Sequence, residues 1–216
     1  MFTRLITAAS RERPIAALRF LLYKISDQIR GRALAAMMGW KKSYVGAGAK
    51  IYGSRSIRIG VGAYIHRHAW IEAVGSFAGD TFQPSIVIGK GFSASDQLHI
   101  SAINRIDIGD NCLFGRGVYV GDHNHGSYQG DRQSRPEEPP VVRKLVSHGP
   151  VVIGSNVWLG DNVVVMGAVI IGDGAVVGAN SMVVKDIPPR TLAAGAPAKV
   201  LKCFDESSGK WERFEE

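Results

Sequence analysis

Two histidines stand two residues apart in Asp122-His123-Asn124-His125-Gly126, where a regular pattern breaks off into a polar stretch running to Pro150. An imidazole titrates near neutral pH and can take a proton from an alcohol without help from a metal. That makes His123 a candidate general base. Two other readings stand beside it. A metal site would need a third ligand, and no Cys/Asp/Glu cluster of metal spacing accompanies the pair. Asp122 and Asn124 also suit a turn in which their side chains bond nearby backbone. No Gly-x-Ser-x-Gly elbow or other nucleophile context occurs, so the sequence does not point to an acyl-enzyme.

The residues that must hold this corner in place follow a step of six. Ile153, Leu159, Val165, Ile171, Val177 and Val183 are spaced by six, and Gly follows at 154, 160, 172 and 178. Small residues stand four places after the aliphatic one at Val157, Val163, Ala175 and Ser181. A short fixed period marks a solenoid, and a period of six marks a β-helix. A short strand and a tight turn fill six positions. Three hexads close one triangular coil, and coils stack at about 4.8 Å. The aliphatic residue points inward, and Gly is expected to ease the corner. The lattice extends upstream through Ile108, Phe114 and Val120, then Ile88, Ala94 and Ile100, then Ile59, Ile65 and Ile71, and begins at Val45 and Ile51. The spacing predicts about six coils. It breaks at 72–87, weakly at 101–107 and strongly at 126–150, and such insertions leave the coil as loops. The last excursion holds Gly130, Pro136, Pro139 and Pro140 with Arg132, Arg135, Arg143 and Lys144.

The chain of 216 residues divides into a helical segment at 1–43, a repeat domain at 44–202 with its excursion at 126–150, and a tail at 203–216. Residues 1–42 hold nine Lys/Arg against Glu12 and Asp27, so the whole formal charge of +7 lies there and the rest is balanced. Arg4, Arg11, Arg13, Arg19 and Lys24 are among those cations. Ile15, Leu18, Leu22, Ile25 and Ile29 form an apolar stripe of helical period, and Pro14 suits an early helix position. The segment is expected either to cap the open end of the coil or to lie on an anionic membrane surface. No nucleic-acid motif accompanies the charge. Two cysteines, Cys112 and Cys203, give no disulfide framework, and Cys112 falls at an inward position. No signal-peptide pattern and no membrane-spanning run are evident, so a reduced, cytoplasmic location is expected.

The hexads, the Asp-His-Asn-His corner, Ser155-Asn156-Val157-Trp158-Leu159-Gly160, Lys185-Asp186-Ile187-Pro188-Pro189 and Ala194-Gly195-Ala196-Pro197-Ala198-Lys199 together resemble the hexapeptide-repeat acyltransferases. More narrowly they are similar to the branch with galactoside and maltose acetyltransferases and bacterial polysaccharide O-acetyltransferases. The resemblance covers about residues 45–202. It implies an all-β solenoid, a left-handed parallel β-helix with an N-terminal helix and a protruding loop, working as a homotrimer. It implies acetyl-CoA as donor, no metal, and His123 as the base that deprotonates a sugar hydroxyl for direct attack on the thioester. Trp158 matches the tryptophan beside the acyl and acceptor site. Gly160, Asp161, Ala179, Lys185, Lys199 and Lys202 match donor-binding positions. Ser95, Asp96, His99, Asp122 and His125 are the expected acceptor contacts. Ser95 and Ile103 stand where the galactoside branch has an Asn and an Asp, so a small galactoside fits this chain less well. The insertion at 72–87, with Trp70, Glu72, Phe77 and Phe82 near it, and the excursion at 126–150 imply a larger acceptor groove.

The expected function is therefore O-acetylation of a surface glycan or its lipid-linked precursor, carried out by a cytoplasmic enzyme with peripheral membrane contact. The alternative acceptor is a small free sugar, an amino acid or a xenobiotic. A non-enzymatic structural β-helix is the reading from another class. Zinc-dependent relatives of the fold would need three histidines at a spacing that this sequence lacks.

Overall fold

Short strands recur every six residues because each hexad supplies one inward aliphatic side chain and one corner. The computed structural model describes residues 14–131 and 133–214. Its strands fall into three principal sheets. The first begins with Tyr44–Val45, Tyr64–Ile65, Ser93–Ala94, Leu113–Phe114, Trp158–Leu159 and Val176–Val177. The second holds Lys50–Tyr52, Trp70–Ala73, His99–Ala102, Tyr119–Gly121, Val164–Met166 and Met182–Val183. The third holds Ile57–Ile59, Ser85–Ile88, Arg105–Ile108, Val151–Ile153 and Ile170–Ile171. The chain visits first, second and third sheet in turn, and these pairings are parallel. Parallel strands, three faces and a six-residue period fit a β-helix.

The inward positions are those the period names. Ile153, Leu159, Val165, Ile171, Val177 and Val183 are each at most 1% exposed, and Cys112 is buried beside them. Burial pushes the Cys112 thiol above its ordinary pKa, so it stays a protonated core side chain.

The Gly that follows each aliphatic residue does a different job from the one expected of it. The left-handed corner position lies two residues further on and is held by Asn111, Asn156, Asn162 and Asn180, with φ between 56° and 59°, and in other hexads by Gly91, Gly117 and Gly174. Asn tolerates that conformation better than other non-Gly residues. The Gly that follows each aliphatic residue lies instead where coils approach most closely. A Cβ on Gly109 would stand 2.6 Å from the carbonyl carbon of Gly154 in the next coil. Gly109 N–H donates to Ile153 O across that gap at 2.8 Å. Stacking therefore requires a residue without a side chain there.

Both large insertions leave the coil on one edge, between the second and third sheets, which we term the loop edge. The first forms a small antiparallel hairpin of Ser76–Phe77 with Asp80–Thr81. The second begins at Asp122 and pairs Asn124–His125 with Leu145–Val146. It folds about Arg143, which is buried. The Arg143 guanidinium donates to the carbonyls of Glu138, Arg135 and Pro136 and to the Tyr128 hydroxyl.

The ends of the coil are covered unlike each other. At one end a 24-residue helix, Pro14–Met37, rests on Tyr44–Val45. The face it uses is not the apolar stripe read from the sequence. Leu18, Leu22, Ile25 and Ile29 are 57, 57, 43 and 65% exposed. The side chain of Ile15, and Arg4, Arg11 and Arg13, lie outside what the structure describes. The packed face carries Asp27, Gly31 and Ala35, all buried. Asp27 accepts from the Tyr44 hydroxyl and, at 3.0 Å, from Arg30. Burial would raise the Asp27 carboxyl, but the Tyr44 and Arg30 hydrogen bonds and the charges of Arg30 and Arg67 outweigh it and leave it below its ordinary pKa. Gly31 gives the Tyr44 ring room, since a Cβ there would meet the Val45 carbonyl at 2.5 Å. At the other end the first sheet closes with Thr191–Gly195, Ala198–Asp205 and Lys210–Arg213, paired antiparallel. Residues 203–213, set apart above as a tail, thus contribute strand to the coil's last sheet. Among the described residues, no helix is long and apolar enough to cross a membrane.

Candidate active site

Asp122 and His123 follow the strand Tyr119–Gly121 where the chain leaves the second sheet. The Asp122 carboxylate is fully buried. It reaches down one coil to accept the Ile103 N–H at 3.0 Å and the Asn104 N–H at 2.8 Å. Its Oδ1 also lies 2.9 Å from His123 Nδ1. An ionised carboxylate only accepts, so Nδ1 carries the proton and Nε2 keeps its lone pair. The His123 side chain is 10% exposed, enough to present one ring edge from an otherwise packed site. This is the geometry of a base held in one tautomer by a buried anion. The turn reading is set aside, because the partners of Asp122 lie 19 and 18 residues away rather than next to it. Asp122 was also expected to touch an acceptor. Closed from solvent and fully engaged, it has no surface left for one.

A ladder of rings leads up to this corner. Lys50, Trp70, His99 and Tyr119 share one register position on successive strands of the second sheet. Trp70 stacks on His99 at 4.7 Å, and Tyr119 meets His99 edge-on at 5.0 Å. Lys50 lies 5.5 Å from the Trp70 ring. Burial, then the charge of His123, holds His99 below its ordinary pKa. Its Nε2 is buried without a partner among the described residues. Burial, with Asp122 second, pushes Tyr119 up. Tyr119 escaped the sequence reading. The signal was there: it precedes the inward Val120 as Trp70 precedes Ile71 and His99 precedes Ile100, so all three face out from one sheet.

His125 is exposed, and its ring meets Phe77 of the first insertion edge-on at 5.2 Å. Lys144 of the excursion pairs with Asp80 of that insertion at 3.0 Å. The two insertions are thereby clasped beside His123.

The remaining expected site residues are dispersed. Lys185 is exposed on the loop edge, two strands beyond Tyr119–Gly121 in the second sheet. Trp158, 52% exposed, lies on the first sheet in register with Leu113. Gly160, Asp161 and Ala179 follow at the edge between first and second sheets, stacked so that Asn180 N–H donates to Asp161 O at 2.8 Å. Ser95 and Asp96 share that edge, where Asp96 accepts the Arg67 N–H at 3.0 Å and bridges two coils. Lys199 and Lys202 are exposed on the closing antiparallel strand. Within one chain, then, His123, His99, His125 and Lys185 are on or beside the loop edge, and Trp158, Gly160, Asp161, Ala179, Ser95 and Asp96 are not. Among the described residues, no group of His, Cys, Asp or Glu could hold a metal ion.

Residues 150–185 match the family described as bacterial transferase hexapeptide (six repeats), and residues 105–121 match the hexapeptide repeat of succinyl-transferase. WbbJ of Escherichia coli (strain K12), provisionally named a lipopolysaccharide biosynthesis O-acetyl transferase, is 43% identical over 129 residues, which are 59% of this chain and 65% of that protein. Galactoside O-acetyltransferase of Escherichia coli (strain K12) is 35% identical over 145 residues, 65% of this chain and 63% of that one. The chain thus spans somewhat less than two thirds of either relative. Among solved structures, galactoside acetyltransferase in complex with coenzyme A superposes with a TM-score of 0.51 at 27% identity, covering 74% of this chain and 72% of that one. The fold is shared with AntD, an N-acyltransferase from Bacillus cereus, at a TM-score of 0.61 and 18% identity, covering 82% and 90% of the two chains. The matched segments include the hexads that build the coil above and below the His123 corner, and by them the chain is similar to the hexapeptide-repeat transferases.

Proposed function

We propose that the chain is an O-acetyltransferase that moves acetyl from acetyl-CoA to a sugar hydroxyl of a surface polysaccharide or its lipid-linked precursor. The observation that carries this reading is the His123 imidazole, fixed through Nδ1 on buried Asp122 with Nε2 free at the loop edge. Nε2 takes the hydroxyl proton as the sugar oxygen attacks the thioester carbonyl. A backbone N–H meets the oxyanion, which then collapses and expels the CoA sulfur, and His123 returns the proton to that thiolate. Lys185, Lys199 and Lys202 complement the phosphates of CoA. Two similar proteins bear names of sugar or lipopolysaccharide O-acetyl transfer, which supports a glycan acceptor. The test is transfer of radiolabelled acetyl from acetyl-CoA. Label is expected in a surface glycan and not in serine or free galactosides, and label in the small acceptors alone overturns the reading.

On the same reading the coil is left-handed, residues 44–202 form the transferase domain, and 1–43 and 203–216 are additions to it. The working unit is a homotrimer. Trp158, Gly160, Asp161 and Ala179 lie away from His123 in their own chain, so a neighbouring copy supplies them, and closed threefold symmetry satisfies every such contact.

The helix is both cap and contact surface. Its packed face covers the coil while Leu18, Leu22, Ile25 and Ile29 remain exposed among Arg19, Lys24, Arg30 and Arg32. Apolar area flanked by cations suits the headgroup region of an anionic membrane, at about 1 kcal/mol per well-placed cation, weakened by salt. The protein is expected to sediment with vesicles containing anionic phospholipid at low salt and to be released at high salt. Changing Leu18, Leu22 and Ile29 to Ser should abolish binding without lowering Tm. Loss of the oligomer in that variant would instead make the stripe a subunit contact.

A further inference from the structure

The loop edge carries a concavity two coils from His123. A cleft of about 770 Å³ lies between the turn Ser54–Ser56 and the first insertion. Tyr52, Arg55, Glu72, Phe82 and Gln83 line it. Glu72 is in register with Ser101, and Ser101 with Gly121, so Glu72 stands on the column that passes beside Asp122 and His123. Two strand spacings, about 10 Å, separate those positions along the stack. The insertion that walls the cleft continues to the catalytic corner, since its Phe77 touches His125 and its Asp80 holds Lys144. The first insertion thus walls the cleft and also reaches the His123 corner.

The lining has the chemistry of a sugar subsite. Tyr52 is 50% exposed and offers a ring face, with Phe82 half-buried nearby. Around them stand a carboxylate, a guanidinium, the Ser54 and Ser56 hydroxyls and the Gln83 amide. Among the described residues, neither Glu72 nor Arg55 has a side-chain hydrogen-bond or ion-pair partner. Rings for the apolar face of a pyranose, and unengaged donors and acceptors for its hydroxyls, are what a pocket for a polar ring needs. A pure packing role for the insertion would not leave these groups unspent.

We propose that this cleft binds a sugar unit of the acceptor glycan other than the one acetylated, so that the enzyme measures its substrate over several sugars. The proposal rests on the glycan reading of the His123 site. A single ring cannot fill both places, so the preferred acceptor is an oligosaccharide whose reacting unit lies at His123 and whose neighbouring units run toward the helix-capped end of the coil.

The test is acetyl transfer to an array of defined bacterial surface oligosaccharides and their constituent monosaccharides, followed by kinetics on the best acceptor. The intact enzyme is expected to prefer an oligosaccharide over its constituent monosaccharide at least tenfold in kcat/KM. In Tyr52→Ala with Glu72→Gln, and separately in Arg55→Ala, that preference should fall about tenfold through KM for the oligosaccharide, with KM for acetyl-CoA unchanged. Binding of the same oligosaccharide to His123→Ala, followed by saturation-transfer NMR, should persist and should vanish when the cleft substitutions are added. If the intact enzyme acetylates an oligosaccharide but the cleft variants keep its full preference, the subsite is overturned and the reading of His123 stands. If no glycan on the array is acetylated, both fall.

Discussion

Alanine at His123 is expected to lower kcat by about 10²–10⁴-fold, the range a positioned general base contributes, with KM for acetyl-CoA little changed. His123 has one ring nitrogen anchored, at 2.9 Å, on a buried carboxylate, which leaves the other for a substrate proton. His125, two residues on, is exposed and has a ring of the first insertion for a neighbour rather than an anion. It lacks the fixed tautomer that makes an imidazole a dependable base. Steady-state kinetics on both alanine variants decide the matter. A crippled His125→Ala beside a nearly normal His123→Ala would exchange the roles.

The second large effect is expected from Asp122→Asn. The carboxylate accepts three donors: Ile103 N–H, Asn104 N–H and His123 Nδ1–H. An amide offers one oxygen and turns an NH₂ group toward donors it cannot satisfy. At least one buried N–H is then stranded, at about 1–3 kcal/mol. His123 loses the partner that keeps its proton on Nδ1, so its other nitrogen is no longer reliably free. A fall in kcat comparable to that of His123→Ala is expected, together with a lower Tm. The double variant should be little worse than either single one, because the pair acts as a unit. A variant that melts early but keeps its kcat would reduce Asp122 to a support for the loop. Measuring Tm and kcat on the same preparation separates these outcomes.

The coil was legible because each hexad must send its aliphatic residue inward, and the period that names Ile153 and Leu159 also names the second inward position, four places on, at Val157 and Val163. The two insertions were legible as breaks in that period. What stayed hidden was contact made through the stack. Asp122 finds its partners one coil below, and that depends on how many residues each insertion adds before the coil resumes. The helix misled for a related reason. Its most apolar stripe faces outward, and the packed face includes Asp27, which is accommodated by Tyr44 and Arg30. A charge buried with partners from other elements reads in the sequence as a surface residue. The Gly directly after the aliphatic residue likewise read as the corner residue, when the corner is turned two residues later by Asn156 and its counterparts and Gly109 is there to let the coils touch.

The unlike coverings at the two ends of the coil bear on how the molecule stays finite. Each rung offers the next an open row of backbone donors and acceptors, so a bare terminal rung would accept the bare rung of another molecule as readily as its own. Head-to-tail addition of that kind has no closing rotation and grows into filaments. The helix over Tyr44–Val45 blocks one terminus with a surface that cannot pair. At the other terminus the chain doubles back, so that Ala198–Asp205 occupies the edge of Thr191–Gly195 in the antiparallel sense, and Lys210–Arg213 is left as a short outer strand with Lys210, Glu212 and Arg213 along it. Parallel stacking is stopped by a change of strand direction at one pole and by a helix at the other. The same repeat that makes the fold easy to extend is thereby confined to a discrete particle.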